Sequence, residues 1–110
     1  MEWISGNIFI RANVLPKKDD GVHGHKHNFD HTAIVFTGSV HVRGVCPDGR
    51  IIEQDFTAPS HFLVLKNVEH EITALEDGTS FWCVYSHRNA QGDVVQENIG
   101  WLSSEIGHYR

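Results

Sequence analysis

Four of the nine histidines in this 110-residue sequence fall within "GVHGHKHNFDH", residues 21–31. On an extended backbone His25 and His27, one residue apart, leave the same face about 6–7 Å from each other. That spacing suits two ligands on one ion. His31 follows four residues later, where a bend through "NFD" returns it to the same centre, and His70 opens a segment further on, "NVEHEITALEDG". Neutral imidazole is a good ligand for Fe, Ni, Cu and Zn, and three or four such donors on a rigid sheet leave positions open for water or substrate. The pattern therefore predicts one divalent transition metal held by His25, His27, His31 and His70. A solvated, Gly- and His-rich loop is the competing reading. His23, His41, His61, His87 and His108 read instead as surface or hydrogen-bonded structural residues.

Such ligands need elements to hold them. Period-two alternation recurs along the chain in short segments rich in Val, Ile, Phe and Thr, and no stretch before about residue 94 keeps a 3.6-residue period. This predicts an all-β chain with strands at 7–15, 30–37, 39–46, 50–57, 61–66, 70–76 and 80–87. "PDG" at 47–49, "TGS" at 37–39 and "EDGT" at 76–79 are hairpin turns. Short strands at such spacing make a sandwich, jelly roll or small barrel. On the strand after His31, Ala33, Val35 and Thr37 share its face, and the two small residues leave room around an inward imidazole. The tail, "DVVQENIGWLSSEIGHYR", lacks a clear period and reads as a short helix or arm that covers one barrel end or meets another subunit.

The size fits one domain, residues 1–110, with the barrel at about 7–88 and the arm at about 93–110. A formal net charge of −5 argues against nucleic acid, whose phosphates need clustered Lys and Arg. No run has the apolar length of a membrane span, and the N-terminus lacks the basic and apolar regions of a secretory signal. A cytoplasmic protein with no membrane partner is expected. Cys46 and Cys83 read as small buried strand residues rather than ligands or a redox pair.

These residues carry a resemblance: the chain is similar to a small single-domain cupin. The first cupin motif runs glycine, five residues, H-x-H, three or four residues, Glu, six residues, Gly. Here "HKHNFDHTAIVFTG" supplies His25, His27, His31 and Gly38, with His31 in place of the Glu and Asp19 in place of the leading Gly. The second motif, P-x-G-x-x-H-x-x-x-N, aligns "LKNVEHEITA" with His70 as its histidine, Leu65 for Pro, Asn67 for Gly and Ala74 for Asn. Asn67 can still take a left-handed turn. The resemblance spans about residues 7–88 and implies a double-stranded β-helix, or jelly-roll barrel. Its ligands would be His25, His27 and His70, with His31 as a fourth nitrogen. Iron is the first metal it implies, and Mn joins Ni, Cu and Zn as alternatives.

Replacing a carboxylate by imidazole removes a negative charge from around the metal and raises its Lewis acidity. It also removes a carboxylate base. Glu69 and Glu71 flank His70 and face away from it on a strand, while Asp30 orients an imidazole or sits at the surface.

The resemblance implies an Fe(II)- or other divalent-metal dioxygenase acting on a small anionic molecule. An isomerase or lyase with Tyr85 as acid or base is one alternative, although Tyr85 reads first as packing. A non-catalytic metal- or ligand-binding module is another, as is a structural role. Arg11, Arg43, Gln54 and Trp82 are candidates to line the barrel, and a homodimer is expected.

Overall fold

Nine strands form two facing antiparallel sheets in the computed structural model, which describes residues 1–27 and 29–93, with the side chains of 23–25 left aside. They are β1 (Glu2–Ser5), β2 (Ile8–Leu15), β3 (Gly21–His25), β4 (His31–Thr37), β5 (Ser39–Val45), β6 (Ile51–Thr57), β7 (Ser60–Val64), β8 (Glu69–Ala74) and β9 (Thr79–Ser86). One sheet has the order β1-β2-β9-β4-β7 and the other β3-β8-β5-β6. No helix occurs among the described residues, and none there is long and apolar enough to cross a membrane. The expected arm falls almost entirely outside them.

Alternation explains which faces meet. On β4 the residues His31, Ala33 and Val35 are buried, and on β8 His70, Ile72 and Ala74 are buried, while the residues between them look outward. Phe81 from β9, Val40 from β5 and Phe62 from β7 complete the core between the sheets. Full burial of Ile72 or Phe81 contributes roughly 1.5–3 kcal/mol each. The histidines sit at one end of this same inner face, so the packing that makes the core also aims the imidazoles.

The seven expected strands are present, and two more join them. β1 is a four-residue edge strand too short to show alternation, folded back on β2 with Gly6 at positive φ. β3, "GVHGH", carries no apolar alternation because its role is to lie against β8. A Cβ at Gly21 would come within 2.6 Å of the Ile72 carbonyl oxygen, so the close approach requires glycine. His25 is the last residue of β3 and His27 lies beyond it, so the two do not share one extended strand as expected. Thr37 also departs from the expected face: the pairing of β4 with β9 shifts register between Val35 and Thr37, and Thr37 is exposed.

Among the described residues, left-handed backbone occurs at two non-glycine residues, Asp19 (φ 76°) and Asn67 (φ 65°). These are the positions where the two cupin motifs carry glycine. Asn and Asp tolerate this conformation better than other side chains because their short polar groups bond locally. The turn geometry is thus kept although the glycines are absent.

Candidate metal centre

His31 opens β4 and His70 lies on β8, on opposite sheets, and His27 enters from the segment after β3. All three are buried, at 8%, 4% and 3% relative exposure for His27, His31 and His70. One nitrogen from each ring lies within 4.8 Å of the others, and ring centroids are 5.3 to 5.5 Å apart. Buried imidazoles would not converge this way merely to fill space, since burying polar groups costs free energy that neighbouring apolar side chains would avoid. The solvated-loop reading fails for these three.

Neighbours orient the rings of His70 and His27. His70 Nδ1–H donates to the Val68 carbonyl at 3.0 Å, which fixes the tautomer and leaves Nε2 as the lone-pair nitrogen. Burial holds its pKa below the ordinary 6.5, so the ring is neutral at physiological pH and available as a donor. Phe29 stacks on His27 at 4.9 Å. The Asn67 backbone N–H donates to the His27 carbonyl at 2.7 Å. Donor type, charge state and convergence all fit a transition-metal ion.

His25 pairs with His70 across the β3–β8 ladder. Its side chain lies outside the described residues, as do those of His23 and His108. The remaining histidines stay apart from the centre, as expected: His61 is exposed, His87 stacks on Phe9 at 6.4 Å, and His41 lies between Asp55 and Glu53 on the outer face of its sheet. Asp30 takes the second of its two expected places, the surface. Its carboxylate accepts the Lys66 backbone N–H at 2.7 Å and ties down the loop beside His31.

The pocket around the histidines is walled by Phe9, Arg11, Ile72, Phe81, Cys83 and Tyr85, with about 30 Å³ of free space. A water needs roughly 10–15 Å³ on this scale, so there is room for an ion and one or two small ligands. Of the four barrel-lining candidates Arg11 alone reaches this pocket. Its guanidinium is 11% exposed and pairs with the Glu2 carboxylate, Nε donating at 2.9 Å. Trp82 faces outward and packs on Trp3 and Phe36. Arg43 lies on the outer face beside Glu69 and Glu71, and Gln54 faces a different cavity. The Glu2 partner was not anticipated, because the signal for it, the register of β1 on β2, needs a strand too short to read.

Tyr85 packs between Phe9 and Phe29 at 4.8 and 4.3 Å, as its packing role predicts, and also lines the pocket. Burial pushes the Cys83 thiol up to about 12, so on its own it stays protonated and is a poor nucleophile. No carboxylate is among the described residues that line the pocket.

No family model matches the sequence, and no curated protein matches it. Solved structures do. A mutant of Bacillus subtilis oxalate decarboxylase OxdC superposes with TM-score 0.66 at 25% identity, over 73% of this chain and 21% of that one. This is a cupin fold. Bacillus subtilis oxalate decarboxylase in a study of its Mn(II) centres gives TM-score 0.67 at 24% identity, over 83% of this chain and 24% of that one. A further mutant of the same enzyme matches at TM-score 0.67 and 24% identity over 91% of this chain. The chain thus spans about a quarter of the length of the structures it matches. Its cupin barrel holds its histidine cluster between the two sheets, where metal-dependent chemistry would be housed.

Proposed function

We propose that the chain is a metal-dependent cupin enzyme acting on a small carboxylate. The observation that carries this is the set of three buried imidazoles within 4.8 Å of one another, in a pocket whose wall includes Arg11. His27, His31 and His70 hold one divalent ion, with His25, opposite His70 in the ladder, as the fourth nitrogen. Iron and manganese are the leading metals. Iron suits the all-nitrogen set, and manganese is named for the decarboxylase that this fold resembles. The bound metal supplies Lewis acidity and open positions for oxygen or substrate.

The residues do the rest. Arg11, held in orientation by Glu2, presents a fixed cation that binds a substrate carboxylate and sets which end of the molecule faces the histidines. Phe9 and Phe81 keep the pocket dry, which strengthens that attraction. No carboxylate is among the described pocket residues, and in this reading Tyr85, which lines the pocket, holds or delivers the proton.

This donor set supports a dioxygenase first, since oxygen insertion asks little acid–base work of the protein. A lyase is the second reading, favoured by the likeness to a decarboxylase and by Tyr85. The proposal extends to a cytoplasmic homodimer acting on a small molecule, with neither nucleic acid nor membrane as partner. Trp3 and Phe36, exposed beside Trp82 on the outer face of one sheet, supply an apolar surface for association.

Protein loaded anaerobically with Fe(II) or Mn(II) tests the reading against small mono- and dicarboxylates, with oxygen uptake and carbon dioxide release followed together. Turnover that Arg11→Gln weakens mainly through KM supports it. No turnover of any carboxylate by either metal form would leave a non-catalytic metal-binding module.

A further inference from the structure

The pocket at the histidines has room for little beyond an ion and its smallest ligands, yet a cavity of about 280 Å³ lies on the other side of His70, which lines both. It exists because β6 ends one sheet and β7 the other, with no ladder between them, so the barrel is open there. Its walls are Val42, Ile52, Phe56, Phe62, Leu65 and Val68. Ile52 and Leu65 remain 51% and 53% exposed, so apolar surface is left in water where covering it would be favourable.

Among the described residues one arginine or lysine lines this apolar space, Arg50. Its guanidinium donates to the Cys46 sulfur, at 3.7 Å, and makes no ion pair with a carboxylate among the described residues. The nearby Asp48 carboxylate accepts the backbone N–H of Arg50 at 3.0 Å instead. Gln54 adds a neutral polar group to the same wall.

We propose that this cavity is a second ligand site, separate from the histidine pocket, for a small amphipathic carboxylate: an aliphatic body fills the gap between β6 and β7, and the carboxylate meets the Arg50 guanidinium. An apolar cavity with a few convergent polar groups is the usual form of a small-molecule site. An exposed guanidinium that no carboxylate among the described residues pairs with supplies the matching charge. The site does not depend on the metal.

Octanoate and octanol titrated into the full chain stripped of metal test this, by calorimetry and by amide chemical-shift mapping. Octanoate is expected to saturate at one per chain and to shift Val42, Ile52 and Phe56. Arg50→Gln should weaken octanoate about tenfold, the loss typical of a charge-assisted contact, while octanol is unchanged. Arg50→Lys should retain much of the octanoate affinity, and His27→Ala should bind octanoate as the wild type does, which separates this site from the metal reading. Absence of saturable binding, shifts confined elsewhere, or an Arg50→Gln protein that binds octanoate normally would overturn the proposal. So would a concentration-dependent dimer that buries the β6–β7 gap and excludes octanoate.

Discussion

Asn67 donates its backbone N–H to the carbonyl of His27 at 2.7 Å, and does so from a left-handed conformation at φ 65°. The turn that precedes one histidine strand thereby fixes the backbone of a histidine from the other motif. His27 is held from outside by this bond and from beside by Phe29, while His70 is held by Val68.

Asn67→Gly should therefore be neutral within a few tenths of a kcal/mol, and Asn67→Ala should cost about 1–2 kcal/mol, because only the second must place a Cβ at positive φ without a local polar partner. Urea unfolding midpoints of the two variants check the order. Equal destabilisation by both would show that the Asn side chain, rather than the backbone conformation, matters.

Added metal should raise the thermal midpoint, since an ion that binds only the folded site stabilises it by about 2.7 kcal/mol at a hundredfold excess over Kd. Chelator should reverse this. In His70→Ala neither metal nor chelator should move the midpoint.

Acid should release the metal. Burial depresses the His70 pKa, so the folded state resists the proton that the unfolded state accepts. Its contribution to stability is present above the ordinary value of 6.5 and lost as pH falls from there through the depressed folded value. Ligand imidazoles also compete with protons for the ion. Metal affinity measured between pH 8 and 5 should fall steeply below about 6.5.

His41 should behave in the opposite sense. Its side-chain bond to Asp55, then that to Glu53, raises its pKa, so the folded state holds the proton more firmly. The stabilisation is fully present below 6.5 and lost as pH rises through the raised folded value. The side chain is 37% exposed, so the effect is small and screened by salt. His41→Gln compared with wild type at pH 5.5 and 8.5 should show a difference only at the lower pH, shrinking in 1 M NaCl.

Much of this was legible in the residues, for physical reasons. Strands β2 and β4 to β9 announced themselves because each carries alternating or β-branched residues between turn signals, and Asn67 stood where a left-handed turn was needed. β1 and β3 did not, since one is four residues long and the other is read through its contacts with β8 and not through any hydrophobic period. Three of the four predicted ligands converge because His31 and His70 obey the inward parity of their strands. The inward aim of Arg11, and the outward aim of Trp82, required strand parity that only the paired sheet supplies.

Whether the three imidazoles hold a metal is decided by elemental analysis of untagged protein loaded anaerobically with Fe(II) or Mn(II) and desalted, comparing wild type with His27→Ala, His31→Ala and His70→Ala. One ion per wild-type chain, lost in all three variants while each stays folded by circular dichroism, is the predicted result. Wild type without metal above background, or metal retained in folded variants, would contradict it.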